Sequence, residues 1–121
     1  MTYEHIDADR ILRLARDLVG DVRSCVRFVD DFVGASASRI ARVQLAVDNG
    51  RLEEALPSLL SLASSSSMIG AESLARVARD LHTEATRSGA LPARAADHLE
   101  WINAASCAEL AHLTAPWRVA A

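Results

Sequence analysis

The chain has 121 residues, half of them apolar, with a net charge of −3 at pH 7 and only five Phe, Trp or Tyr side chains. That length suits a single domain, residues 1–121, able to bury a core without disulfide or metal staples. The Ala- and Leu-rich, aromatic-poor composition favours a helical bundle over a sandwich or barrel. Acids and bases are interspersed, which argues against a nucleic-acid footprint. All 13 basic side chains are Arg, so lysine-based chemistry, such as a Schiff base or a P-loop, is excluded.

In chain order, the first stretch, MTYEHIDADR, is acidic and lacks the apolar core of a secretion signal. No apolar run approaches the ~20 residues of a membrane span. A cytosolic protein is the expectation. Asp7 or Asp9 is placed to cap a short first helix, with Ile11, Leu12, Ala15, Leu18 and Val19 on its apolar side and Gly20 at its end. Asp21 caps the next helix. Val22, Cys25/Val26, Val29, Phe32/Val33, Ser36, Ile40, Val43 and Val47 keep a three-four step straight through Gly34, which predicts one long helix to about Val47. Asp48-Asn49-Gly50 is a turn signal.

Leu52 to Ile69 gives a third helix. Its inner face is Leu52, Ala55/Leu56, Leu59, Leu62/Ala63, Ser66 and Ile69. Its outer face is Glu53, Pro57, Leu60, Ser61, Ser64, Ser67 and Met68. Pro57 predicts a kink or a late start. The small Ser66 is expected to allow close approach of a neighbouring helix. Gly70 makes a hairpin turn. A fourth helix from Glu72 to about Ser88 turns Leu74, Val77/Ala78, Leu81 and Ala85 inward. Glu72–Arg76 and Arg76–Asp80 are expected surface pairs on it, and Gly89 stops it. Pro92 starts a last helix, with Ala95, Leu99, Ile102, Ser106, Leu110 and Leu113 inside, and Pro116 ends it. The expected fold is all-α: an antiparallel four-helix bundle with a short extra N-terminal helix. Cys25 and Cys107 both fall in helical patterns without a C-x-x-C, so buried reduced thiols are expected.

The run Leu59-Leu60-Ser61-Leu62-Ala63-Ser64-Ser65-Ser66-Ser67-Met68-Ile69-Gly70-Ala71 resembles the signature of the histidine phosphotransfer (HPt) domain of two-component phosphorelays. Leu62, Ser65, Ser66, Ile69, Gly70, Ala71 and Leu74 fit that frame. The likeness extends from about Ile6 to Leu113 and implies the same bundle fold. It also implies that the phosphoacceptor histidine position is held by Leu60, the phosphate-facing lysine position by Ala63 and the glycine position by Ser64. Leucine offers no nucleophile and alanine no charge. The resemblance therefore implies a degenerate phosphotransfer domain that is no enzyme and needs no cofactor. Its partners would be a response-regulator receiver domain or a sensor kinase, docked on Leu60, Ser61, Ala63, Ser64 and Ser67.

Of the four histidines, His82 stands where the family usually has glutamate. It flanks the apolar stripe, with Arg79 one turn away. A displaced phosphoacceptor at His82 is one alternative reading; a boundary histidine without a role is the plainer one. His98 and His112 lack metal-ligand spacing, so no metal site is expected. A second alternative is a homo-oligomer assembled through the outward Leu60, Met68 and Trp101.

Overall fold

Carboxylate caps start the first two helices. In the computed structural model, which describes residues 2–17 and 21–120, the Arg10 N–H donates to Asp7 Oδ1 at 3.2 Å and the Ser24 N–H to Asp21 Oδ1 at 3.3 Å. They open α1 (Ala8–Asp17) and α2 (Val22–Asp48). Then follow α3 (Leu52–Ile69), α4 (Glu72–Ser88) and α5 (Ala95–Ala120), with no strand among the described residues. α2 and α4 each pack against both α3 and α5, so the four long helices form a ring with α3 and α5 at opposite corners. The short turns between them make successive helices antiparallel. α1 rests against α3. The all-α bundle with its short first helix is thus the observed fold.

The core follows from the three-four stripe. Val29, Phe32, Ile40 and Val43 of α2 meet Ala55, Leu59, Leu62 and Ile69 of α3, Leu74 and Ala78 of α4, and Leu99, Ile102 and Leu110 of α5. Burying one such leucine stabilises the fold by roughly 1.5–3 kcal/mol. Gly34 sits inside α2 without interrupting it. Ser36, Ser66 and Ser106 are fully buried within the bundle.

Gly70 closes α3 in the left-handed region, at φ +85°. The segment before α1 docks on this turn. The Asp7 N–H donates to the Gly70 carbonyl at 2.7 Å, and the Ser73 N–H to the His5 carbonyl at 3.2 Å. The same segment reaches α5, where the His5 N–H donates to Oε1 of the buried Glu109 at 3.0 Å.

Several expectations need correction. Leu12 is 43% exposed, because α1 touches the bundle mainly through Ile11. Leu18, Val19 and Gly20 lie outside the described residues. Pro57 does not delay α3, which is helical from Leu52. The ring costs the bond to the Glu53 carbonyl, but both residues are exposed and water can solvate that carbonyl. Pro92 opens a turn, with its carbonyl accepting the Ala95 N–H at 3.0 Å, and α5 begins at Ala95. Pro116 does not end α5, which continues to Ala120. Trp117 packs on the core and Arg118 pairs with Asp30 of α2, so tertiary contacts hold the last turn. The same guanidinium holds the Asp30 carboxyl below its ordinary range. Among the described residues the ion pairs are Arg51–Glu54, Arg87–Glu84 and Arg118–Asp30, not the expected Glu72–Arg76 and Arg76–Asp80. In exposed positions such partners gain little and stay solvated.

Two glycine substitutions are expected to act in opposite directions. A Cβ at Gly70 would meet the Asp7 carbonyl oxygen at 3.0 Å and Ile11 Cγ1 at 3.3 Å, on a backbone at φ +85°. Gly70→Ala should destabilise by about 2 kcal/mol or more. A Cβ at Gly34 meets nothing within 4 Å, so Gly34→Ala should stabilise by up to about 1 kcal/mol. Urea denaturation followed by circular dichroism measures both. Equal midpoints for the two variants would contradict the account of the turn.

Candidate functional site

α3 fits between α2 and α4, and the tightness of that fit decides which of its side chains reach solvent. Leu59, Leu62, Ala63, Ser66 and Ile69 are inside. Pro57, Leu60, Ser61, Ser64 and Met68 are outside, with Leu60 54% and Met68 59% exposed. Of the five residues expected to form a docking face, Leu60, Ser61 and Ser64 are therefore on one open strip and Ser67 is half-buried beside it. Ala63 is a correction, being only 4% exposed. It faces inward because its side chain falls on the same stripe as Leu59 and Ser66.

Ser65, the fourth member of the serine block, turns toward α2. Its hydroxyl donates to the Ser61 carbonyl at 2.8 Å and accepts from Arg39 Nη1 at 3.0 Å. This fixes the half-buried Arg39 of α2 against the serine-rich turn of α3. Sequence reasoning missed Arg39. The signal was its place immediately beside Ile40 of the core stripe, at an edge of α2 rather than on its outer face.

The histidines are dispersed. His82 of α4 is half-buried, and its carbonyl accepts the Thr86 hydroxyl at 2.8 Å. His5 Nδ1 lies 3.0 Å from the Ser73 hydroxyl, and its ring meets Trp101 edge-on at a centroid distance of 6.0 Å. His112 Nδ1 lies 2.8 Å from the Tyr3 hydroxyl, and His98 is exposed. Among the described residues, no three His, Cys, Asp or Glu side chains converge as a metal site would require.

Comparison with protein families matches residues 27–113 to the Hpt domain. The chain belongs to that family. No curated protein and no solved structure matches it. The match takes in α2 from Arg27, all of α3 and α4, and α5 to Leu113. It leaves α1 and the segment before it outside, so the likeness is shorter at the N-terminal end than the motif suggested. Hpt domains are phosphotransfer carriers of phosphorelay signalling, and they interact with response regulators and kinases. Among the described residues, no helix is long and apolar enough to cross a membrane.

The two thiols of this Hpt domain differ from expectation in one respect. Cys25 is buried and free, while Cys107 is free but only half-buried, with Asn103 Oδ1 3.5 Å from its sulfur. Burial pushes the Cys107 thiol above its ordinary range. Reactivity follows the thiolate, so iodoacetamide at neutral pH should label Cys107 slowly, faster as pH rises, and should leave Cys25 unmodified until the protein unfolds. Intact-mass and peptide mapping would read this. Rapid labelling of Cys25 in the folded protein would refute the packing of α2 described above.

Proposed function

We propose that this Hpt domain is a docking module that binds a signalling partner without accepting phosphate. The observation that carries the reading is Leu60, 54% exposed and flanked by the exposed Ser61 and Ser64. The motif frame assigns this position to the phosphoacceptor, and a phosphoacceptor must sit exposed on a rigid helix so that its imidazole can attack an aspartyl phosphate. Leucine keeps the position accessible and removes the nucleophile. The buried Ala63 supplies no charge to steady a phosphoryl group. What remains suits docking: a rigid apolar centre among small hydroxyls, accessible to a response-regulator receiver domain or a sensor kinase.

The alternatives draw less support. His82 is half-buried on the neighbouring helix, whereas transfer requires free access to the ring. A self-interface through Leu60, Met68 and Trp101 meets a geometric obstacle. The first two stand on α3 and the third on α5, at opposite corners of the ring.

The test is to incubate the purified chain with phosphorylated receiver and kinase domains from its own genome, scoring both label and binding. Binding without label is expected. Leu60→Arg should weaken that binding by roughly tenfold or more, as expected for a charge forced into a central contact. Leu60→His should acquire label that the natural chain does not take. Label on the natural chain, abolished by His82→Ala, would overturn the reading in favour of transfer through His82.

A further inference from the structure

The strip around Leu60 carries no charge of its own, but at the level of Leu60 its borders on α2 and α4 carry arginines. No acidic residue occurs from Phe32 to Val47 on α2, or from Ala55 to Ile69 on α3. On the α2 border stands Arg39, its guanidinium held by the Ser65 hydroxyl at 3.0 Å. Arg42 follows one turn later, exposed, at the same edge of α2.

The other border is α4. Ser73 turns toward the N-terminal segment and α5, since its hydroxyl lies 3.0 Å from His5, whose N–H reaches Glu109. The opposite edge of α4 therefore faces α3, and helical spacing places Ala75, Arg79 and His82 along it. Ala75 is fully buried, His82 half-buried and Arg79 exposed. The hairpin turn at Gly70 sets Arg79 and His82 level with the Leu60 region of α3. Of the acids of α4, Glu72 stands about two turns before Arg79, beside the hairpin turn, Asp80 lies on a different side of the helix, and Glu84 is paired with Arg87. Glu53 and Glu54 stand about two turns below Leu60, and Glu54 is paired with Arg51. Among the described residues, Arg42 and Arg79 have no ion-pair partner.

We propose that Arg39, Arg42 and Arg79 form a cationic collar around Leu60 that selects a partner surface bearing clustered carboxylates around an apolar contact. The proposal rests on the docking reading above and names the chemistry of the partner. A chain of net charge −3 is repelled by acidic partners at a distance. A local collar of three guanidinium groups reverses that field at one face and gives the encounter an orientation. The fixed Arg39 loses less side-chain freedom on binding than a free arginine would. Leu60 supplies the apolar centre, so the face is uncharged in the middle and positive at the rim.

The experiment titrates the full chain against unphosphorylated receiver domains from its own genome, by calorimetry, at about 50 and 300 mM salt, where screening of rim charges differs strongly. Arg39→Glu and Arg79→Glu are each compared with the natural chain, with melting curves as a check on folding. Arg79→Glu breaks no hydrogen bond or ion pair among the described residues, so it tests the collar even where Arg39→Glu perturbs packing. The expected result is roughly tenfold weaker binding for each reversal and a comparable loss at high salt. Binding that survives both reversals and is indifferent to salt would overturn the collar and leave the docking reading standing. Absence of binding by every receiver would overturn the collar, and the docking reading would then stand or fall on the kinase arm of the preceding test.

Discussion

The bundle depends on one peptide turn. At Gly70 the backbone takes a left-handed conformation, and its carbonyl accepts the Asp7 N–H at 2.7 Å. A side chain there would collide with the Asp7 carbonyl and with Ile11. One small residue therefore does two jobs: it ends α3 and it receives the segment that leads into α1. That segment then runs across the start of α4 to α5, through His5 with Ser73 and Glu109, and through Tyr3 with His112. Three helices and the N-terminal segment are located relative to one turn. The rotation of α3 about its axis, and hence the choice of residues that face solvent, follows from where that turn sits.

Small residues complete the constraint. Ala55, Ala63 and Ser66 on α3 and Ala75 and Ala78 on α4 are all buried. With so little side chain between them, the two helices approach closely, and Leu59 and Leu62 are sealed entirely. Only a narrow strip of α3 remains open. That strip is part of a packed helix rather than a loop, so binding there orders little that was free beforehand. The hydroxyl of Ser66, without a partner among the described residues, is the cost of this close packing, about 1–3 kcal/mol for a buried polar group without a bond.

Periodicity made most of this legible, because bundle helices bury one stripe and the stripe repeats every three to four residues. The bounds of α3 and α4, the cap at Asp21 and the continuity of α2 through Gly34 could be read from the chain, while the choice of Asp7 over Asp9 as the first cap could not. The prolines could not. Pro116 is read locally as a break and Pro57 as a kink or a late start, yet α3 starts before Pro57, which loses a single bond on an exposed face, and beyond Pro116 the packing of Trp117 and the Arg118–Asp30 pair outweigh the local cost. The burial of Ala63 is legible in the stripe, whereas the motif frame places it at the docking face. Arg39 and Glu109 were missed because each gains its role from a partner distant in sequence, 26 residues away at Ser65 and 104 at His5. No local pattern encodes such contacts.

The proposed docking face divides its labour in a way that transfer chemistry would not permit. A phosphoacceptor must remain a nucleophile, so the centre of a transferring face is polar and its neighbouring cation must reach the phosphoryl group. With leucine at the centre, neither requirement holds. Burying the apolar centre lengthens the life of a complex, while charges at the rim mainly hasten its formation. The arginines can then sit one helix away on either side, where they orient the approach without entering the apolar contact. Moving the charge outward from α3 to α2 and α4 is consistent with a face that holds a partner and does nothing further to it.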